Sequence, residues 1–419
     1  MKLTVVGGGS TYTPELVDGP GRLTGELPID ELVLLDPDEE RLAVVGAFAD
    51  RMLRQAGSAT RLVTTVDRDA AIDGASAVLL QFRVGGQQAR AEDESFPLEC
   101  GCVGQETTGA GGLAKAMRTV PVALDLARTV SRRAAPGAWI VDFTNPVGIV
   151  TRALLDDGHR AIGLCNVAIG FQRLLAGWLG TDPSRVELDH VGLNHLTWIR
   201  EVRVGGVDLL PRILEEHGLD LAARLELPLD LIRDLRMIPS YYLRYYYAHD
   251  DVVAELLREG TRAAQVQRIE AELLELYRDP ALVTKPPLLE QRGGAYYSEA
   301  AVALLRSLLG QAPAERHVAN VRNAGTLAFL PDDAVIETTC DVTPDGARPL
   351  PVRPLEPLLS GLVAHVSAYE ELALDAALRG GRDRIVAALL AHPLVGQWDA
   401  AGRLADALIG RNREYLPWA

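Results

Sequence analysis

From residue 2 to about residue 164 the chain alternates short apolar runs with amphipathic stretches of helix length. The runs are continuous rather than alternating in polarity, which is the pattern of parallel strands covered by helices on both faces. They fall at residues 2–6, 31–35, 61–65, 77–81, 139–143 and 161–164 and predict a doubly wound sheet. Beyond it the pattern changes. Residues 186–209 read as extended strands with a turn at Gly205-Gly206, 228–278 and 298–309 as helix, 314–344 as strand and 355–414 as helix. The expected protein is α/β, with a Rossmann-like parallel sheet over residues 1–166 and an α+β domain over 167–419. No internal repeat, low-complexity segment or flexible linker separates them, so the site should sit where the two parts meet.

Composition narrows the class. A chain of 419 residues exceeds what one hydrophobic core usually serves, and its 48% hydrophobic content supplies ample core material. It has no secretory leader pattern and no run of about 18 apolar residues, which predicts a cytoplasmic protein. Four cysteines in such a length predict reduced thiols. A formal charge of −15 argues against nucleic acid or an anionic membrane as a general partner. An anionic substrate would have to be drawn by a local arginine cluster.

The first strand runs into Gly7-Gly8-Gly9-Ser10-Thr11, and Thr13-Pro14-Glu15 then reads as a helix start. Glycines there admit a pyrophosphate against backbone amides at a helix N-terminus. Asp36, closing the second strand, can bond a ribose 2′-hydroxyl and so favours NAD over NADP. The cofactor candidates are Gly7, Gly9, Ser10, Thr11 and Asp36. Tyr12 departs from the glycine or alanine of the usual fingerprint.

Cys165 follows an apolar run and should stand at the carboxyl end of a parallel strand, where open α/β sheets bind ligands. His190 and His195 lie five residues apart in LDHVGLNHLTW. A thiol and an imidazole at the edge of a nucleotide domain could hold a divalent ion with positions left open for substrate, although spacing alone does not choose the histidine. Cys100-Gly101-Cys102 reads as structural. Arg83, Arg90, Arg262 and Arg292 lie in turn-like contexts and could converge on a phosphate. In PSYYLRYYY most rings should be packing, but a tyrosine beside a metal or an arginine could serve as a base.

Ten ordered motifs, VVGGGSTYTPEL, LLDPD, LQFRVGGQQARAEDE, GQETTGAGG, VDFTNPVGIVT, IGLCNVAIG, VGLNHLTW, PSYYLRYYY, KPPLLEQRGGAYYS and VRNAGTLAFLPDDAVIE, make the chain resemble glycoside hydrolase family 4. Within it the likeness is nearest to the 6-phospho-β-glucosidase branch. The resemblance implies an NAD- and divalent-metal-dependent hydrolase, usually with Mn²⁺, outside the two-carboxylate rule for glycosidases. It implies metal ligation by Cys165 and His195, leaving His190 structural. The base role falls on Tyr242, which holds the YLxYY frame, with Tyr245 as second choice. Arg90 and Asn145 are implied to bind sugar hydroxyls and phosphate, with Arg262 and Arg292 completing the phosphate pocket. Asn166 stands where α-active relatives carry an acidic aspartate, and Cys-Asn accompanies β-active enzymes. Relatives commonly form dimers or tetramers. The alternatives are an α-specific or non-phosphorylated glycosidase of this family, or a malate- or lactate-type NAD dehydrogenase.

Overall fold

A computed structural model describes residues 1–22, 27–293 and 296–419. The first six strands are β1 (Lys2–Val6), β2 (Glu31–Leu35), β3 (Arg61–Thr65), β4 (Ala77–Leu80), β5 (Trp139–Asp142) and β6 (Ala161–Gly163). They pair in parallel in the order β6-β5-β4-β1-β2-β3. Val5, Leu34, Leu79 and Val141 are wholly buried, since helices cover both faces. Each such side chain contributes about 1.5–3 kcal/mol on leaving water. The order reverses beside β1, so the carboxyl ends of β1 and β4 open a crevice, the usual ligand position in this architecture.

The second half continues the same sheet with antiparallel strands: β7 (Val186–Leu193), β8 (Leu196–Val204), β9 (Val207–Asp208), β10 (Ile238–Pro239), β11 (Glu315–Arg322), β12 (Val335–Thr343) and β13 (Gly346–Pro349). The join is the pairing of Asn320 on β11 with Gly163 on β6, and β12 then pairs with β7 through Glu337 and Gly192. One contiguous core includes Leu3 and Val141 together with Trp198 and Ile336. The expected α/β class, with a Rossmann-like half followed by α+β structure, is what the chain adopts.

Three details differ from the pattern reading. A helix at Leu210–Leu225 was not anticipated. The stretch 228–278 is broken into helices Leu229–Leu235, Arg244–Tyr247, His249–Glu259 and Arg262–Arg278, interrupted by Pro239 on β10 and by Gly260. The stretch 355–414 is three helices, Pro357–Arg379, Arg382–Ala391 and Trp398–Arg411, with Gly380-Gly381 at positive φ between the first two. Among the described residues no helix is long and apolar enough to cross a membrane.

Two features set up the site. Helix Val167–Leu179 starts at the end of β6, placing Cys165 and Asn166 at its N-terminus. The β7–β8 hairpin turns on Asn194 and His195, and His195 takes φ +63° where glycine is the easy residue.

Candidate active site

The carboxyl ends of β1, β2, β4, β5 and β6 face one cavity of about 950 Å³. At its β1 end there is no room for side chains. A Cβ on Gly7 would stand 2.8 Å from the Phe82 Cα, and one on Gly9 would stand 2.9 Å from the Asp36 Cγ. Gly7 also has φ +88°. Asp36 accepts hydrogen bonds from the amides of Gly9 (2.9 Å) and Asp38 (3.0 Å), which orient the carboxylate. Burial raises the pKa of this carboxyl, against those amides and Arg41. Gly7, Gly9, Ser10 and Asp36 line the cavity, whereas Thr11 is buried behind it and accepts from Arg292 Nε at 3.1 Å.

At the far end Cys165, Asn166, His195 and Tyr242 line the same space. The His195 ring stacks on Tyr242 with centroids 3.6 Å apart and 10° between the planes. The Cys165 sulfur accepts from the backbone amides of Asn166 and Val167 and from the Asn194 side chain. Burial, then Glu337, nevertheless pushes the thiol pKa well up, so a cation would be needed to hold the thiolate. Burial takes His195 down to about 4, leaving it neutral and fit to ligate at neutral pH. Its Nδ1 is 3.0 Å from Thr107 Oγ1, which leaves Nε2 for another partner.

Among the described residues no group of three or more His, Cys, Asp or Glu side chains is arranged to hold a metal. The Cys165–His195 pair therefore fits a divalent cation only with open positions for oxygen ligands, as a substrate-binding site requires. His190 is elsewhere engaged, bonding Glu337 at 3.0 Å in full burial. Glu337 also accepts from Asn194 (2.9 Å) and Asn320 (3.0 Å). Burial would raise its pKa, but His190, Asn194 and His195 bring it below the usual value.

Between the two ends lie charges. Glu106 is bound by Arg83 (3.1 Å), Lys115 (2.7 Å) and Arg90 (3.3 Å). Against the effect of burial, these three cations hold its carboxyl well below the usual range. Burial and then Arg83 bring Lys115 down to about 8, with Glu106 opposing. Arg292 pairs with Glu270 at 2.8 Å and lies over the Tyr12 ring. Asn145 Oδ1 and Thr144 Oγ1, of residues that also line the cavity, are buried without a hydrogen-bond partner among the described residues, so this cradle has polar capacity to spare for a bound group.

Thus Arg90, Asn145 and Arg292 reach the cavity with Gly7, Gly9, Ser10 and Asp36, the thiol–imidazole pair, Asn166 and Tyr242. Besides Thr11, two further candidates are not among its lining residues. Arg262 donates to the Gln291 carbonyl at 2.6 Å and to Gln265. Tyr245 packs with Val103, Val252 and Leu394 and meets Gln105 through its hydroxyl. The pattern reading also missed Glu106, Lys115, Glu270, Glu337 and Thr107. Lys115 carried a usable signal, since it is a lone charge inside the apolar helical stretch GAGGLAKAM.

Comparison with known proteins identifies the family. The sequence signature described as "Family 4 glycosyl hydrolase" matches residues 2–181, and that of the "Family 4 glycosyl hydrolase C-terminal domain" matches residues 190–395. The chain is 40% identical to the probable 6-phospho-β-glucosidase of Bacillus subtilis, the match covering 100% of this chain and 97% of that one. It superimposes on the Thermotoga maritima 6-phospho-β-glucosidase solved with NAD and glucose-6-phosphate at a TM-score of 0.93, with 35% identity and 99% of both chains covered. The same enzyme solved with manganese, NAD⁺ and glucose-6-phosphate gives 0.91 at 34% identity, again over 99% of each chain. Signatures across both halves and a full-length relative at this identity establish that the chain belongs to glycoside hydrolase family 4.

Proposed function

We propose that the protein hydrolyses 6-phospho-β-glucosides, with NAD and a divalent metal, Mn²⁺ foremost, as cofactors. The observation that carries this reading is one cavity lined by the glycine turn, Asp36, Cys165, His195, Tyr242 and a group of arginines. NAD⁺, which Gly7, Gly9, Ser10 and Asp36 would hold, would supply reversible hydride acceptance at the sugar C3, the chemistry that makes the C2 proton acidic. A divalent cation held by Cys165 and His195 supplies Lewis acidity to the sugar oxygens.

The remaining work falls to side chains. Tyr242 takes the C2 proton at its phenolic oxygen. Burial and then Cys165 keep this phenol protonated in the protein alone, so its base form depends on positive charge beside it. Deprotonation at C2 expels the C1 substituent by elimination, and water then adds. Asn166 is an amide with no acid proton to give, which suits a substrate whose aglycone departs without a general acid. Arg90 and Arg292, with Arg83 and Lys115 beside them, bind the 6-phosphate, and Asn145 bonds the sugar. Arg262 contributes charge from behind Arg90, and Tyr245 supports the site through Gln105. Gly7, Gly9, Ser10, Thr11 and Asp36 serve the cofactor.

On this reading residues 1–166 form the NAD-binding unit, while residues 167–419 bring His195, the tyrosines and two of the arginines. The enzyme works in the cytoplasm as a homodimer or homotetramer. The test is cleavage of a chromogenic 6-phospho-β-glucoside. Release should require NAD⁺, Mn²⁺ and a reductant, leave no net NADH, and slow with a C2-deuterated substrate. Activity surviving removal of both cofactors overturns the reading, and stoichiometric NADH would make the protein a dehydrogenase.

A further inference from the structure

His195 can bind a cation only through a nitrogen that carries no hydrogen, and a neutral imidazole has one such nitrogen. Its neighbours determine which. Nδ1 lies 3.0 Å from Thr107 Oγ1, but a hydroxyl can donate or accept, so this contact alone leaves both tautomers open. The surroundings of Thr107 close the choice. Its backbone N–H and its hydroxyl both meet Gln105 Oε1, the hydroxyl at 2.9 Å.

A backbone N–H can only donate, so the atom facing it is the amide oxygen of Gln105. That oxygen can only accept, so the Thr107 hydroxyl gives its hydrogen there. The hydroxyl then has only lone pairs to offer His195, and Nδ1 must carry the hydrogen. The amide nitrogen of Gln105 donates in turn to the Tyr245 hydroxyl, which holds the amide from its other end. The ring is also fixed by its stack on Tyr242 and by the left-handed backbone of His195.

We propose that Gln105 and Thr107 are positioning residues that lock His195 as the Nδ1–H tautomer and so present the Nε2 lone pair to the metal. This rests on the reading of His195 as a metal ligand. It also gives Tyr245 a use, as the outer anchor of the relay. If Thr107 served only for packing, valine, which has the same shape, would replace it without consequence.

The test compares Thr107→Val, Thr107→Ser and His195→Ala in the full chain with NAD⁺ present. Mn²⁺ binding is read from the electron paramagnetic resonance signal of the free ion. Thr107→Val should weaken it about 10–100-fold, the usual cost of losing a ligand's outer partner. Thr107→Ser keeps the hydroxyl and should restore binding to near wild type. Nitrogen-15 spectra of histidine-labelled protein without metal, with the His195 signals assigned from His195→Ala, should show Nδ1–H in wild type and gain of the Nε2–H form in Thr107→Val. NAD⁺ affinity should not change.

Wild-type Mn²⁺ affinity in Thr107→Val, alongside loss of binding in His195→Ala, overturns the lock and leaves the ligand assignment standing. Undiminished Mn²⁺ binding in His195→Ala overturns both. Should Thr107→Val not fold, Gln105→Leu frees the hydroxyl to donate to Nδ1 and is judged by the same two readouts.

Discussion

Replacing His195 by glycine and, separately, by alanine tests whether the hairpin tip holds backbone strain for the sake of the metal site. Both changes remove the ring, its stack on Tyr242 and its bond to Thr107. Those losses cancel when the two variants are compared. What remains is the backbone at φ +63°. A left-handed backbone costs a residue with a Cβ about 1–2 kcal/mol. Glycine, for its part, loses about 0.4–1 kcal/mol more than alanine through its freer unfolded chain. The glycine variant should therefore be the more stable by roughly 0.5–1 kcal/mol, whereas at an ordinary strand or helix position alanine would win by a similar margin. With an unfolding entropy of about 2.1 cal/mol/K per residue, this is roughly 1 °C in Tm for a chain of 419 residues. Calorimetry of the two variants side by side, without metal, measures the order directly, and both should have lost Mn²⁺ binding. If alanine melts above glycine, His195 is not held in the left-handed region. If either variant binds Mn²⁺ like wild type, the strain has no link to a ligand role.

Cys165→Ser should weaken Mn²⁺ binding at least about 100-fold while leaving NAD⁺ affinity, read by fluorescence titration, unchanged; equal losses of both would mean a general disruption. Asp36→Ala removes the acceptor for two backbone amides and the group that disfavours a 2′-phosphate, so the NAD⁺ dissociation constant should rise about tenfold and the preference over NADP⁺ should shrink. Arg118 and Asp93 form a buried pair with side chains 1% and 0% exposed, and Arg118→Met should cost about 3–5 kcal/mol by leaving Asp93 unpaired. The Asp93 pKa stands at about 6, raised chiefly by burial, so its contribution to stability is present below the ordinary carboxylate range and lost as pH rises through 6. Because Arg118 opposes that rise, the variant's deficit in Tm should be larger at pH 8 than at pH 5, and a deficit independent of pH would refute the assignment.

The parallel half was legible because its strands are buried on both faces and so read as unbroken apolar runs; predicted and observed strands differ by no more than one residue at their ends. The helix Leu210–Leu225 was not legible, because it contains Pro211 and Gly218. Proline is tolerated in a first turn, and the missing side chain at Gly218 makes room for Leu229, whose Cδ1 would lie 3.2 Å from a Cβ there. At the site, Cys165 could be located from its place after an apolar run. The choice among five tyrosines could not be made that way, since which ring faces the cavity depends on how the 3₁₀ turn Tyr241–Leu243 and the short helix Arg244–Tyr247 dock. The buried charges were hidden for another reason. A pattern of apolar and polar positions assigns Glu106 to the surface and leaves Lys115 as an unexplained charge in an apolar stretch, and their pairing inside the fold, with Arg83 and Arg90 also on Glu106, makes their burial tolerable.

That pairing also resolves how so acidic a chain receives an anion. With a formal charge of −15 the protein as a whole repels phosphates, yet the cavity is lined by six arginines and lysines (Arg41, Arg68, Arg83, Arg90, Lys115, Arg292) against four carboxylates (Asp36, Asp38, Glu106, Glu270). In the free protein Glu106 and Glu270 hold the central cations apart and in place, so the cluster neither collapses nor spends all of its donors. The excess is positive but small. A neutral sugar gains nothing from it, whereas a phosphate dianion meets guanidinium groups already oriented, and desolvated enough for the attraction to be strong. On the proposed assignment of the phosphate to this cluster, selectivity for the phosphorylated sugar follows from the shared carboxylates as much as from the arginines. Without Glu106, burial and Arg83 would both still drive Lys115 toward its neutral form, and the cavity would lose a cation along with the carboxylate that ordered it.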